Sequence, residues 1–211
     1  FKTKKGWVND PNGLVWYNGY YHVFYQHTPD SETPDLHGRM YWGHAITKDF
    51  LNWEELPVAL CPDTDYDRGG CWSGTAIVKD DVLYLFYASI ETVDEGETKR
   101  KIQRVSVAYS NDGINFEKYK GNPVIDHYPV GDGSHDFRDP AVCFIDGKYY
   151  CVMASGNREK DTANLLLYES EDLLSWNYRG VMCEWENGIY AECPSFMSNG
   201  DGRYLLSASV C

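Results

Sequence analysis

Three acidic residues stand at matching places in a repeated unit. They are Asp10 in Trp7-Val8-Asn9-Asp10-Pro11-Asn12-Gly13, Asp139 in Phe137-Arg138-Asp139-Pro140, and Glu192 in Ala191-Glu192-Cys193-Pro194. One carboxyl per repeat lets successive units gather the groups about a common axis. Converging carboxyls suit cleavage of a glycosidic bond, which needs a proton donor for the leaving oxygen and a carboxylate at the anomeric carbon. When that carboxylate attacks directly, the pair lies about 5–5.5 Å apart. A third carboxylate can hold sugar hydroxyls whose hydrogen bonds tighten as the transition state gains positive charge.

Sequence neighbours divide the roles. Asn9 and Asn12 flank Asp10, and amide donors favour a charged carboxylate, as a nucleophile requires. Arg138 precedes Asp139 and is expected to hold it ionised, which suits a sugar-binding stabiliser. Glu192 has no cation beside it in sequence. Apolar surroundings and two nearby carboxylates are expected to raise its pKa, as a general acid requires. Asp-Pro and Asn-Gly are also ordinary turn formers. Three acids in register across repeats favour the site.

The elements that must position these groups are legible in a second pattern. Tyr-rich runs follow turn signals at Gly19, Asp81, Gly147 and Gly202, at intervals of 62, 66 and 55 residues. Each reads as a hairpin. Three further segments share nearly this period: Ala45–Trp53, Ala108–Phe116 and Tyr168–Trp176, each closing on an aromatic residue after a polar turn. One unit therefore holds about four strands, as a propeller blade does. Trp53 and Trp176 read first as blade core. No long apolar pattern has a helical period, so the predicted fold is all-β. Residues 1–65, 66–136 and 137–188 make three units, and 189–211 supply only the first strands of a fourth. A closed ring of such blades needs roughly 240–300 residues, so the expectation is about three and a half blades of a longer protein.

Composition narrows the function classes. The net charge of −13 argues against nucleic acid and anionic membranes as partners, since both attract positive charge. No apolar stretch reaches the length of a membrane helix. Seven cysteines, an odd number without CxxC spacing, make zinc an unlikely fit to the sequence and lean the expectation toward a reducing, cytoplasmic setting. The 17 Tyr, 7 Trp and 8 Phe read mainly as packing between blades, with a minority available to stack on sugars.

Six motifs in order then carry a resemblance. Gly6-Trp7-Val8-Asn9-Asp10-Pro11-Asn12-Gly13, Phe24-Tyr25-Gln26, Trp42-Gly43-His44-Ala45, Trp72-Ser73-Gly74-Thr75-Ala76, Phe137-Arg138-Asp139-Pro140 and Glu192-Cys193-Pro194 together resemble glycoside hydrolase family 32, the invertases, fructan hydrolases and sucrose-6-phosphate hydrolases. The resemblance covers essentially the whole chain. It implies a five-bladed β-propeller, usually followed by a β-sandwich that is absent from these 211 residues. It implies retaining hydrolysis of β-D-fructofuranosides without metal or organic cofactor. Asp10 is the implied nucleophile, Glu192 the implied acid/base and Asp139 the implied transition-state stabiliser. Asn9, Gln26, Ser73 and Arg138 match positions that bind the fructosyl unit, and Trp72, a substrate-binding candidate, stands where the family often has Phe and retains an aromatic wall.

The departures concern the leaving-group side. Ala191 and Ser195 flank the acid/base motif where the family often has Trp and Asp. The loop of residues 28–41 carries Thr28-Pro29 and His37 in place of the common Asn-Pro and Trp. His37 reads equally as a substrate contact or a solvated loop residue, whereas His22 and His44 read as structural. The predicted substrate is a small carbohydrate, sucrose or a short fructo-oligosaccharide. Fructosyl transfer through the same intermediate and a non-catalytic fructan-binding propeller are the alternatives.

Overall fold

The structure is a computed structural model describing residues 1–33, 39–96, 98–134 and 136–211, without the side chains of residues 98 and 99. His37 therefore lies outside the described residues, with most of the tip of the 28–41 loop.

Local chemistry sets the strand ends. In the first hairpin Asn18 and Gly19 both have positive φ, 48° and 82°, between β1 (Trp7–Tyr17) and β2 (Tyr20–Thr28). Two left-handed residues in a two-residue loop match the right-handed twist of the paired strands. Asp80-Asp81 repeats the device, with φ of 51° and 60°, between β5 (Gly70–Lys79) and β6 (Val82–Glu95). Asp146-Gly147 does so again, with φ of 49° and 86°, between β9 (Phe137–Ile145) and β10 (Lys148–Asn157). Asp and Asn tolerate this region because their short polar side chains bond locally.

A second repeated turn closes the outer strands. It joins β3 (Tyr41–Thr47) to β4 (Trp53–Leu60), β7 (Thr98–Ser110) to β8 (Glu117–Lys118), and β11 (Thr162–Ser170) to β12 (Asn177–Glu186). In the first, Asp49 Oδ1 accepts the N–H groups of Leu51 and Asn52 at 2.9 and 2.8 Å. Asp112 and Asp172 each accept two N–H groups in the same way, all at 2.8 Å. These donors stabilise the ionised form. With the Asn52 backbone foremost, they pull Asp49 down to about 2.

Among the described residues all regular structure is strand, in three four-stranded antiparallel meanders and one pair. The orders are β1-β2-β3-β4, β5-β6-β7-β8 and β9-β10-β11-β12, followed by β13 (Ala191–Ser198) with β14 (Tyr204–Val210). Apolar side chains fill the gaps between successive sheets. Tyr17, Phe24 and Trp42 meet Leu83, Leu85 and Tyr87 between the first and second. Phe86, Val105 and Val107 meet Phe137, Tyr149 and Met153 between the second and third. Val152, Ala154 and Leu165 meet Ala191 between the third and the last pair. The sheets thus stack face to face as propeller blades, with β1 against β5, β5 against β9 and β9 against β13 at the inner edge.

Those four inner strands share one irregularity. Along β1, Val8 pairs with His27 and Pro11 with Tyr25, so three steps on one strand meet two on the other. Along β9, Arg138 pairs with Ala154 and Ala141 with Val152. Along β13, Glu192 pairs with Ser209 and Ser195 with Ser207. In β5 the extra residue falls between Trp72 and Gly74. A β-bulge inserts one residue, bends its strand and re-aims side chains. Here it turns Asp10, Ser73, Asp139 and their neighbours toward the inner edge.

Candidate active site

The bulges open into a cavity of about 540 Å³. Asn9, Asp10, Gln26, Trp72, Ser73, Arg138, Asp139 and Glu192 all line it, with Trp7, Met40, Lys101, Gln103, Asp136 and Tyr190. The structure therefore brings together the three acids and the five substrate-binding candidates. The acids share a bulge without sharing a position in it. Glu192 precedes the β13 bulge, Asp139 is the first residue within the β9 bulge, and Asp10 is the second within the β1 bulge.

Each acid meets partners that its sequence neighbours did not reveal. At Asp10, Ser73 Oγ donates to Oδ2 at 2.7 Å, and the flanking amides point elsewhere. Asn9 Oδ1 accepts the Trp7 indole N–H at 2.9 Å. Asn12 is buried and accepts the Gly74 N–H at 3.3 Å, tying the first blade to the second. The same seam requires close approach at Gly13, which has φ +52° and where a Cβ would stand 2.7 Å from that of Ala76.

Asp139 is 5% exposed and has φ +58°. Its Oδ2 accepts the Cys193 N–H at 2.9 Å, and Arg138 Nε stands 4.0 Å away. Arg138 pulls this carboxyl toward its charged form, as its place in the sequence implies. Burial outweighs that pull. Loss of water pushes Asp139 up to about 6, against the Cys193 N–H and Arg138, with Asp10 and Glu192 adding repulsion.

Arg138 spends its hydrogen bonds on other carboxylates. Nη2 donates to Glu192 Oε1 at 2.9 Å and Nη1 to Asp136 Oδ1 at 3.0 Å. Its guanidinium stacks 4.6 Å from the Tyr190 ring centroid. Glu192 therefore has a cation on it in space although none adjoins it in sequence. Its side chain stays 38% exposed. Burial, then the charges of Asp139, Asp10 and Glu192, push the Cys193 thiol well up, which disfavours the thiolate, the nucleophilic species.

The walls are held from behind. Gln26 is buried and its amide donates to the Cys71 carbonyl at 3.0 Å, while the Trp42 indole donates to the Trp72 carbonyl at 3.0 Å. These bonds fix the segment that presents Trp72 and Ser73. Lys101 Nζ lies 4.6 Å over the Trp72 ring. Lys101 and Gln103 reach the cavity from the hairpin of β6 and β7, whose pairing continues out to Glu95 and Thr98. Sequence reading missed these two, Met40, Asp136 and Tyr190. Asp136 and Tyr190 each lie two residues before a singled-out residue, which was the available signal. His22 and His44 lie apart from the cavity lining and bond to one another, Nδ1 to Nε2 at 3.0 Å. All seven cysteines are free. Among the described residues no group of three or more His, Cys, Asp or Glu side chains is placed to hold a metal ion.

Residues 1–209 match the N-terminal domain of glycosyl hydrolases family 32. The chain belongs to this family. Sucrose-6-phosphate hydrolase of Escherichia coli is 38% identical over 204 residues, covering 95% of this chain and 41% of that protein. Levanase of Bacillus subtilis is 38% identical over 202 residues, covering 92% and 28%. Among solved structures, a Bombyx mori beta-fructofuranosidase of family 32 superposes with a TM-score of 0.84 at 37% identity, over 98% of this chain and 42% of that one. The chain thus spans about two fifths of the E. coli relative's length. The stacked four-stranded sheets are those of the family 32 N-terminal propeller.

Proposed function

We propose that this chain carries the catalytic centre of a retaining glycoside hydrolase that releases terminal β-D-fructofuranosyl units from sucrose, phosphorylated sucrose or short fructo-oligosaccharides. The observation that carries the reading is the convergence of Asp10, Asp139 and Glu192 on one cavity whose wall also holds Asn9, Gln26, Trp72, Ser73 and Arg138. The cavity is of the size that takes one or two sugar rings. Relatives named for sucrose-6-phosphate and levan hydrolysis support the substrate class.

In this reading Asp10 attacks the anomeric carbon while the bond to the leaving oxygen breaks. Glu192 gives its proton to that oxygen, and a fructosyl ester of Asp10 forms. Glu192, now a carboxylate, takes a proton from water. The water oxygen bonds to the anomeric carbon, the ester bond breaks, and Asp10 leaves as carboxylate. Ser73 keeps the Asp10 carboxylate aimed. Asp139, dry and held by the Cys193 N–H, accepts hydrogen bonds from fructosyl hydroxyls, and these strengthen as positive charge develops on the ring. Trp72 offers an aromatic wall, and Arg138, Asn9 and Gln26 position the ring.

The test uses the complete gene product with sucrose, sucrose phosphorylated on glucose, and inulin, measuring free fructose against the other product. Fructose release abolished in Asp10→Ala and Glu192→Ala is the expected result. Full activity in Asp10→Asn would sink the assignment. With sucrose, glucose in clear excess over fructose would show transfer to a sugar acceptor in place of water.

A further inference from the structure

Glu192 faces a conflict of charge. As proton donor it must hold its proton, yet Arg138 Nη2 sits 2.9 Å from Oε1 and favours the carboxylate. A carboxylate beyond Arg138 relieves that pull. Asp136 accepts from Arg138 Nη1 at 3.0 Å through Oδ1, and through Oδ2 it accepts from Arg158 Nη2 at 3.1 Å. The Asp136 side chain is 16% exposed and that of Arg138 10%, so solvent screens this contact little. Arg138 is thus shared among Asp136, Glu192 and, at 4.0 Å, Asp139.

We propose that Asp136 is a positioning residue that draws Arg138 away from Glu192 and thereby lets Glu192 carry its proton, with Arg158 setting how strongly it draws. The inference rests on the reading of Glu192 as the proton donor. The other ionisable groups around Glu192 come from each element packed on it: Asp139 on β9, Asp10 on β1, Tyr190 and Cys193 around the start of β13, and Cys211 after β14, whose Sγ lies 3.5 Å from Oε2. Lys101 reaches the same cavity from β7. None of these bonds to Arg138 from the side opposite Glu192, which is the place Asp136 holds.

The consequence is a shift with a sign. The two carboxylates held on one guanidinium repel each other, and that repulsion opposes the pull of Arg138 on Glu192. Asp136→Asn removes that support and frees Arg138 for Glu192. The alkaline limb of the kcat/KM profile, where the donor loses its proton, is expected to move down by roughly 0.5–1 pH unit. Arg158→Ala acts oppositely. Asp136 then draws Arg138 more strongly, a positive charge is lost nearby, and the limb moves up.

The experiment is the pH dependence of kcat/KM for fructose release from sucrose, or from whichever substrate the complete enzyme prefers, in the parent, Asp136→Asn and Arg158→Ala. Opposite movements of the alkaline limb support the proposal. An unmoved limb in both variants, or a loss of rate uniform across pH, overturns it, because a purely structural role lowers the curve without displacing its limb. Arg158 is a surface residue with a side chain 67% exposed, so that arm stands if Asp136→Asn fails to fold; an unmoved limb in Arg158→Ala alone then overturns the proposal. Failure of the underlying reading looks different, since Glu192→Gln would then keep the parent's rate.

Discussion

Replacing Asp139 by Asn removes a charge from a buried site. The change preserves the local geometry. Asn tolerates the +58° φ that Asp139 adopts, as Asp does, and its carbonyl can accept the Cys193 N–H in place of Oδ2. Burial raises Asp139 from 3.8 to about 6. A raised native pKa means that the folded protein binds the proton more tightly than the unfolded chain. The stability this supplies is fully present below about pH 4 and is lost as pH rises through about 6. Two units correspond to roughly 3 kcal/mol, so at pH 8 the parent carries that much destabilisation and the variant does not. The gap between variant and parent is expected to widen by roughly 1.4 kcal/mol between pH 5 and pH 8. Urea unfolding of the complete protein followed by tryptophan fluorescence measures it, and fructose release by the variant should fall sharply in parallel. A gap that stays constant, or narrows, with rising pH would refute the claim that burial controls this carboxyl.

Three further outcomes follow from the same structure. Ser73→Ala removes the 2.7 Å donor to Asp10; losing a hydrogen bond to a charged group costs about 1.5–3 kcal/mol, so kcat/KM for sucrose should fall roughly 10–100-fold, and an unchanged value would mean that Ser73 does not aim the carboxylate. Lys118→Met strips the cation from Asp67, which is 0% exposed and lies 2.5 Å from Lys118 Nζ; an abandoned buried charge typically costs 3–5 kcal/mol, to be read as a lower urea midpoint, and a loss below about 1 kcal/mol would show the pair to be well screened. His44 is pushed down to about 3 by burial and then by His22, so its neutral form is built into the fold. The stability it supports is intact above about pH 6.5 and declines as pH falls from there toward 3, by at most about 1.4 kcal/mol per unit. His44→Gln should flatten that decline, and an equally steep decline in the variant would count against the assignment.

Much of the scaffold was legible because turns are local. Asn18-Gly19, Asp80-Asp81 and Asp146-Gly147 announce left-handed positions in the sequence itself, and the structure places two-residue hairpin loops there. Asp49, Asp112 and Asp172 each cap backbone N–H groups two and three residues ahead, again within reach of a sequence window. The cavity's membership was legible through motifs. Its electrostatics were not, because charge acts through space. Arg138 adjoins Asp139 in sequence, yet its bonded partner in the triad is Glu192, 54 residues away. Asn9 and Asn12 flank Asp10, yet its closest donor is Ser73, 63 residues away. Burial, which decides the state of Asp139, leaves no mark on the residues beside it.

The offset of the acids within their bulges explains how one repeated strand makes three different carboxyls. A bulge residue loses its ladder partner and turns. Asp139, first within its bulge and left-handed, is swung into a buried seam against Cys193, where that residue's backbone N–H and, more distantly, the Arg138 guanidinium meet it. Asp10, one place further on, reaches across to the neighbouring blade and finds the Ser73 hydroxyl there. Glu192 precedes its bulge and keeps its ladder partner Ser209. It is longer by one methylene and extends into the open part of the cavity, where it is half-exposed and meets Arg138. The proposed nucleophile, stabiliser and proton donor would need a held carboxylate, a buried one and a reachable one, respectively. Moving the acid by one residue along an otherwise constant bulge supplies those three settings. The second blade, with Ser73 at its own bulge, contributes the donor that the first blade's acid uses.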